Sequence, residues 1–370
     1  MIYLDYNATT PIDKNVYHAM IPHFKVEFGN PSNSYELGQS AKRAVERART
    51  QVSELIGAKN SEILFTSCGS ESNNAVIKGV AYTYRNKGKH IITSCIEHPS
   101  IMEPLSFLKK NGYEVTYLPV NQQGAVSTED LKSAIREDTI LVSIMHSNNE
   151  VGTLQPIREL GEICRERGIL FHTDASQSIG KVDIDVSKVQ VDFMTIAGHK
   201  LYAPKGIGAL FIRDGLEIES FIHGASQENS RRAGTENVPY IVALGEAAVQ
   251  ARKHLNQNDL IQIRDYFYNK LREVFGVSIH LNGDEVNRLP NTLNISFVGK
   301  SGGEILAALP EICASTGSAC HSGSKIISPV LKAMGIEGAI ALGAIRFSVG
   351  RYTTKQEIDN TIKLLKEYFQ

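Results

Sequence analysis

The sequence predicts an α/β protein with a mostly parallel central sheet, helices on both of its faces, and a smaller α+β domain. Three observations lead there. Short runs rich in β-branched and aromatic residues alternate with amphipathic helical runs through the middle of the chain, the pattern of βαβ units. From about residue 237 the order changes to long helices followed by strands. A chain of 370 residues also exceeds what one compact core organises, so a large and a small unit are expected.

In chain order, the spacing predicts strands over Ile63–Thr66, His90–Ser94, Thr116–Val120, Ile140–Met145, Ile169–Phe171, Phe193–Ala197 and Ile207–Ile212. Between them, Ala44, Val45, Ala48, Val52 and Leu55 recur at helical spacing, as do Ile157, Leu160 and Ile163 after Pro156, whose missing N–H costs nothing at a helix start. Residues 237–275 read as helix with a polar break at Asn256-Gln257-Asn258. A strand over Thr292–Val298, a helix over Glu304–Leu309, a Gly/Ser-rich loop from Ser315 to Ser328, a strand over Ile345–Val349 and a helix from Thr354 complete the smaller unit. The expected division is 13–252 for the large domain, with 1–12 and 253–370 forming the small one.

Composition narrows the function. A formal net charge of -1 with interspersed signs gives no basic stripe, so neither nucleic acid nor a membrane surface is an expected partner. There is no apolar run near the ~18 residues of a membrane span and no leader-like N-terminus, so a cytoplasmic protein is expected. Five cysteines without a Cys-x-x-Cys pair indicate neither a disulfide framework nor a metal site. Cys95 and most of the others sit among apolar residues and read as buried small hydrophobes; Cys320 does not.

The chemistry-bearing residues follow the predicted strand ends, where open α/β sheets bind ligands. Lys200 ends Phe193-Met194-Thr195-Ile196-Ala197-Gly198-His199-Lys200. A lysine snorkelling from a strand end is one reading; a desolvated amine that reacts with an aldehyde such as pyridoxal phosphate is the other. Gly69 and Ser70 open a helix whose amides make a phosphate cup or a plain N-cap. His98 heads a helix before Pro99, placed either to cap it or to stack on a flat ring. Asp174 leaves a strand in apolar surroundings, which is costly unless it meets a cation such as a protonated pyridine nitrogen. Asn149 and Gln177 suit a phenolic oxygen. Cys320 lies in Ser315-Thr316-Gly317-Ser318-Ala319-Cys320-His321-Ser322, and an exposed thiol in such a loop reads as a nucleophile. Arg346, with apolar neighbours, requires a carboxylate, either from the protein or from an amino acid substrate.

Together these residues, with Asp5-Tyr6-Asn7-Ala8-Thr9-Thr10-Pro11, Gly29-Asn30-Pro31-Ser32, Glu71-Ser72-Asn73-Asn74, Glu97-His98, Asn148-Asn149-Glu150-Val151-Gly152, Arg232-Ala233-Gly234-Thr235 and Arg346-Phe347-Ser348-Val349-Gly350-Arg351, closely resemble the cysteine desulfurases, class V aminotransferases among the fold-type I pyridoxal phosphate enzymes. The resemblance runs end to end. It implies pyridoxal 5'-phosphate carried by Lys200, with Asp174 at its pyridine nitrogen, His98 over its ring, and Asn149 and Gln177 at its phenolic oxygen. Gly69, Ser70 and His199 hold the phosphate, joined by Thr235 from the second subunit of a homodimer. Arg346 binds the carboxylate of L-cysteine with Asn30 nearby, and Cys320 takes the sulfur and passes it to an acceptor protein or thiol. No metal is implied.

Three departures stand out. Cys68 stands where a glycine is usual in the phosphate turn, and Ala197 replaces a serine that commonly contacts phosphate. The chain ends at Gln370, without the tail by which housekeeping members engage a scaffold. Ala319-Cys320-His321-Ser322 is similar to the selenocysteine lyases, which makes L-selenocysteine the alternative substrate.

Overall fold

The computed structural model describes residues 1–255, 257, 259–316 and 327–370. Its strands are β1 (Ile2–Tyr3), β2 (Ile63–Thr66), β3 (His90–Ser94), β4 (Glu114–Leu118), β5 (Thr139–Ser143), β6 (Leu170–Asp174), β7 (Phe193–Ala197), β8 (Gly208–Ile212), β9 (Ile279–Asn282), β10 (Thr292–Phe297), β11 (Ile312–Cys313) and β12 (Ala344–Ser348). Seven of them form the central sheet in the order β2-β8-β7-β6-β5-β3-β4. The pairs β4-β3, β3-β5, β5-β6 and β6-β7 are parallel, while β8 is antiparallel to both of its neighbours. Strands β2, β3, β5, β6 and β7 therefore point the same way and deliver their following loops to one edge.

Helices on both faces explain why β2, β3, β5, β7 and β8 are buried along their whole length. One cluster includes Ala44, Val45, Val52, Phe171, Ile196 and Leu244; another, on Val76, Ile77, Ile91, Leu105 and Leu141, covers the sheet separately. At Gly208 a Cβ would meet the Ile196 carbonyl oxygen at 2.7 Å and the Cys68 carbonyl carbon at 3.0 Å. Only glycine lets β8 pass so close to the turn after β2.

The second sheet, β12-β10-β9, is antiparallel, and its core joins Phe267, Leu271, Ile295, Phe347, Ile358 and Leu365 to Ile2 and Leu4 from the chain's start. Those first residues enter by parallel pairing of β1 with β11. The helix Lys355–Phe369 opens with a reciprocal capping box between Thr354 and Glu357.

Several strand boundaries differ from the sequence reading by a residue or more, and two of the shifts have identifiable reasons. Pro119 has no N–H to give, so β4 ends at Leu118 and Val120 makes only an isolated bridge to Val126. Strand β6 runs on through His172 and Thr173 to Asp174, because the buried His172 ring is satisfied by Ser143 Oγ at 2.9 Å and Thr195 Oγ1 at 3.1 Å. Polar residues there are no stop signal. The cysteine expectation is also corrected: of the four described cysteines only Cys164 is buried, and Cys68, Cys95 and Cys313 are partly exposed. Among the described residues no helix is long and apolar enough to cross a membrane.

Candidate active site

Five loops after co-directional strands line one cavity of about 390 Å³. After β2 come Cys68, Gly69 and Ser70, at the N-terminus of the helix Gly69–Thr83. After β3 comes His98, the N-cap of the helix Pro99–Lys110, whose Nδ1 accepts from the Ser100 amide at 3.1 Å. Strand β5 is followed by Met145, Ser147 and Asn149, β6 ends on Asp174 with Ser176 and Gln177 beyond it, and β7 is followed by His199 and Lys200. Arg346 from β12, with Asn7 and Ala8 from the N-terminal segment, closes the cavity from the smaller sheet's side.

Lys200 and Asp174 both line this space. The Lys200 ammonium donates to the carbonyl oxygens of Asn7 and, at 2.7 Å, Ala8. Burial, reinforced by the positive charge of Arg346, lowers its pKa to about 8, which leaves a usable fraction of free amine near neutrality. Asp174 is 8% exposed; its Oδ2 accepts from Asn73 Nδ2 at 2.8 Å and its Oδ1 from the Ser176 amide at 2.9 Å. Among the described residues it has no ion-pair partner. A buried carboxylate held by neutral donors and facing a cavity fits a cationic ring nitrogen.

The histidines are held neutral. Burial lowers the pKa of His98, and burial together with the charges of Lys200 and Lys205 brings His199 to about 4. Neutral His199 meets Thr9 Oγ1 at 3.2 Å through its Nδ1. Next to His98, the carboxyl of Glu97 is pushed up to about 8 by burial and by the charge of Asp174, so it is predominantly protonated at neutral pH and does not add a second negative charge beside Asp174. Its Oε1 accepts from Ser94 Oγ at 2.6 Å and from the Met145 amide at 2.9 Å, stapling the ends of β3 and β5.

Of the residues singled out from sequence, Gly69, Ser70, His98, Asn149, Asp174, Gln177, His199, Lys200 and Arg346 all line the cavity, as do Cys68 and Ala197. Asn30 does not: it is exposed, and its Oδ1 accepts from the Ser32 amide at 3.0 Å in a local turn. Thr235 is exposed and outside this protomer's cavity as well. Cys320 lies outside the described residues. Arg346 is more engaged than its sequence setting shows, since Nη2 pairs with Asp5 Oδ1 at 2.7 Å and Nη1 donates to the Asn149 carbonyl at 3.0 Å, while its buried Nε has no partner among the described residues.

The sequence reading gave no site role to Asn7, Ala8, Asn73 or Ser100. Asn73 bridges two elements by donating from one amide to both Asp174 Oδ2 and Ser100 Oγ, each at 2.8 Å. Its place one helical turn after Ser70, on the same helix, was the available signal. Asn7 acts through its backbone, and a carbonyl leaves no mark in residue type. Its carbonyl oxygen also accepts from Gln177 Nε2 at 3.0 Å.

This constellation, on a largely parallel sheet, has the lysine-centred arrangement that the sequence resemblance implies for a cofactor site. The Aminotransferase class-V family profile matches residues 2–361, and the chain belongs to that family, whose cofactor is pyridoxal phosphate. Curated relatives give the nearer likeness. The chain is 48% identical to "Cysteine desulfurase IscS" of Dictyoglomus turgidum, covering 100% of this chain and 94% of the relative. It is 46% identical to the protein of the same name from Methanosarcina thermophila, covering 100% and 92%. Among solved structures, a "NifS-like protein" superposes with a TM-score of 0.93 at 37% identity over 100% of this chain and 99% of that one. The structure titled "SspA in complex with cysteine" does so with 0.85 at 38% identity over 96% and 100%.

Proposed function

We propose that this protein is a pyridoxal phosphate-dependent cysteine desulfurase that converts L-cysteine to L-alanine and places the sulfur on Cys320. The observation that carries the reading is the placing of a desolvated lysine and an ion-pair-free buried carboxylate around one cavity, in a chain 48% identical to a cysteine desulfurase over its full length. Lys200 would hold the cofactor through Nζ, Asp174 would face its pyridine nitrogen, and His98 would lie against its ring. Asn149 and Gln177 would meet the phenolic oxygen. Gly69, Ser70 and His199 would take the phosphate, with Thr235 of the partner subunit. When bound, the cofactor supplies an electron sink for the carbon skeleton of the substrate.

The protein's own groups supply the rest. Arg346 orients the substrate carboxylate, its guanidinium held in place by Asp5 and the Asn149 carbonyl, while Asn30, expected nearby, is turned into its own loop outside the cavity. Lys200 Nζ takes the Cα proton. The Cys320 thiolate attacks the substrate sulfur: an S–S bond forms, the Cβ–S bond breaks, its electron pair stays with carbon, a proton at Cβ makes the methyl group, and Lys200 Nζ returns the Cα proton to complete alanine. Atoms balance as cysteine plus thiol giving alanine plus persulfide, with no outside oxidant or reductant. An acceptor protein or thiol then removes the outer sulfur for iron-sulfur cluster or thio-cofactor assembly.

The curated relatives named above are both cysteine desulfurases, so sulfur is preferred over the selenium alternative. We further propose a large domain of 13–252 and a small one of 1–12 with 253–370, supported by their separate apolar cores. The protein is read as a cytoplasmic homodimer. The deciding experiment incubates cofactor-loaded protein with L-cysteine and with L-selenocysteine, scores alanine, and weighs Cys320 by mass spectrometry before and after a reductant. Alanine with one added, reducible sulfur on Cys320 is expected. Alanine formation undiminished in Cys320→Ala would overturn the assignment.

A further inference from the structure

The turn Asn148–Val151 does more than present Asn149. Asn148 Oδ1 accepts from the amides of Glu150 at 2.9 Å and Val151 at 3.0 Å, which fixes the turn's shape. The Asn149 carbonyl takes a bond from Arg346 Nη1, and the Glu150 carbonyl takes one from Asn294 Nδ2 at 3.2 Å, so the turn is seated on the smaller sheet. The Glu150 side chain points away from the cavity to Ser328, whose hydroxyl donates to Oε2 at 2.5 Å. Both residues are buried, at 6% and 3% exposure.

Ser328 is the N-cap of the helix Pro329–Ala333, its Oγ accepting from the amides of Val330 at 3.1 Å and Leu331 at 3.4 Å. Its hydroxyl proton is thereby free only for Glu150. On the other side of the Cys320 segment, Ser315 exchanges backbone hydrogen bonds with Arg346, at 3.2 and 2.6 Å. Ser315 is thus tied to Arg346 in the cavity wall, and Ser328 to Glu150 in the turn that brings Asn149 to that wall.

We propose that Glu150 is a positioning residue for sulfur transfer, holding Ser328 and the helix it caps in register with Asn149 and Arg346. The proposal rests on the desulfurase reading above. Glu150 does not line the cavity, and it acts through Ser328 rather than on the substrate. Burial raises the Glu150 carboxyl to about 7, while the Ser328 hydrogen bond and the charge of Arg346, the ionised group that faces it, pull the other way. Retaining a carboxyl in so unfavourable a place is consistent with a bond that matters there.

The test compares cofactor-loaded wild type with Glu150→Ala, Glu150→Gln and Ser328→Ala. Three quantities are read: the first-turnover rate of sulfur loading on Cys320, L-cysteine affinity from the cofactor absorbance, and hydrogen exchange at the Val330 and Leu331 amides without substrate. In Glu150→Ala and Ser328→Ala the loading rate is expected to fall about tenfold, with affinity within about twofold of wild type. In Glu150→Ala, which keeps the Ser328 cap, exchange at the two amides should still rise. Glu150→Gln, which keeps an acceptor oxygen, should recover most of the protection and of the rate. Loading within twofold of wild type in both alanine variants overturns the proposal, as does affinity lost in step with rate. A wild type that never loads Cys320 removes the desulfurase reading instead; unchanged amide exchange in Glu150→Ala then overturns the tether on its own.

Discussion

Lys200 is half-buried in the cavity wall, and that partial loss of water bears on its chemistry. Because its pKa is lowered to about 8, the free-amine fraction grows about tenfold per pH unit below that value and levels off above it. Capture of pyridoxal phosphate by the cofactor-free protein should rise with the same profile in stopped-flow absorbance, and Lys200→Ala should yield no borohydride-trapped cofactor while keeping its circular dichroism. Asp174→Asn should lower turnover about a hundredfold with a much smaller loss of bound cofactor, since it changes the ring's electronics and leaves the phosphate contacts alone. Equal losses of the two would count against the ring-nitrogen role. Arg346→Lys should raise KM for L-cysteine about tenfold, because an ammonium cannot reproduce a planar fork. If its pairing with Asp5 were all that mattered, KM would stand and only the urea midpoint would fall. Lys200, Asp174 and Arg346 were legible in the sequence because a charge beside apolar residues is conspicuous; the carbonyls of Asn7 and Ala8 that hold Lys200 were not, because every residue has one.

Among elements, the central sheet was the most legible part, its strands being short, apolar and separated by amphipathic helices. Strand β9 was missed because Ile279-His280-Leu281-Asn282 carries little apolar signal: it is half-buried and draws its pairing from β10. Strands β1 and β11 were missed because two-residue pairings have no periodicity to detect. Less legible still is the run Glu228-Asn229-Ser230, three consecutive non-glycine residues at φ 48, 56 and 64°. Such backbone is costly and needs an anchor. Arg49, far away in sequence, supplies it with two hydrogen bonds of 2.9 Å to the Glu228 carboxylate, the two side chains being 8% and 3% exposed. Glu228→Ala leaves the buried Arg49 guanidinium only the more exposed Glu46 and the Ile63 carbonyl and releases the strained run, so a loss of about 3 kcal/mol in urea denaturation is expected. Asn229→Gly should do the opposite, since glycine accepts that conformation without penalty.

At the scale of the whole molecule, the cavity gathers nine of the predicted residues from one chain and leaves Asn30 and Thr235 outside it. A homodimer in light scattering is expected at assay concentrations, with Thr235→Ala loosening the cofactor several-fold without dissociating the pair; a fully active monomer would refute the shared site. One feature reaches further still. Lys200 is gripped by Asn7 and Ala8, and Asn7 is seated by Asn291 at 3.0 Å, Thr292 at 2.8 Å and Ser348 at 2.9 Å. Asn7 therefore finds its place only after Asn291, Thr292 and Ser348 have been made. The nascent chain can form its central sheet early, but the wall behind the lysine has to wait. Cofactor capture would wait on the segments that seat Asn7, and a chain cut short before Asn291 presents a lysine with no finished pocket around it.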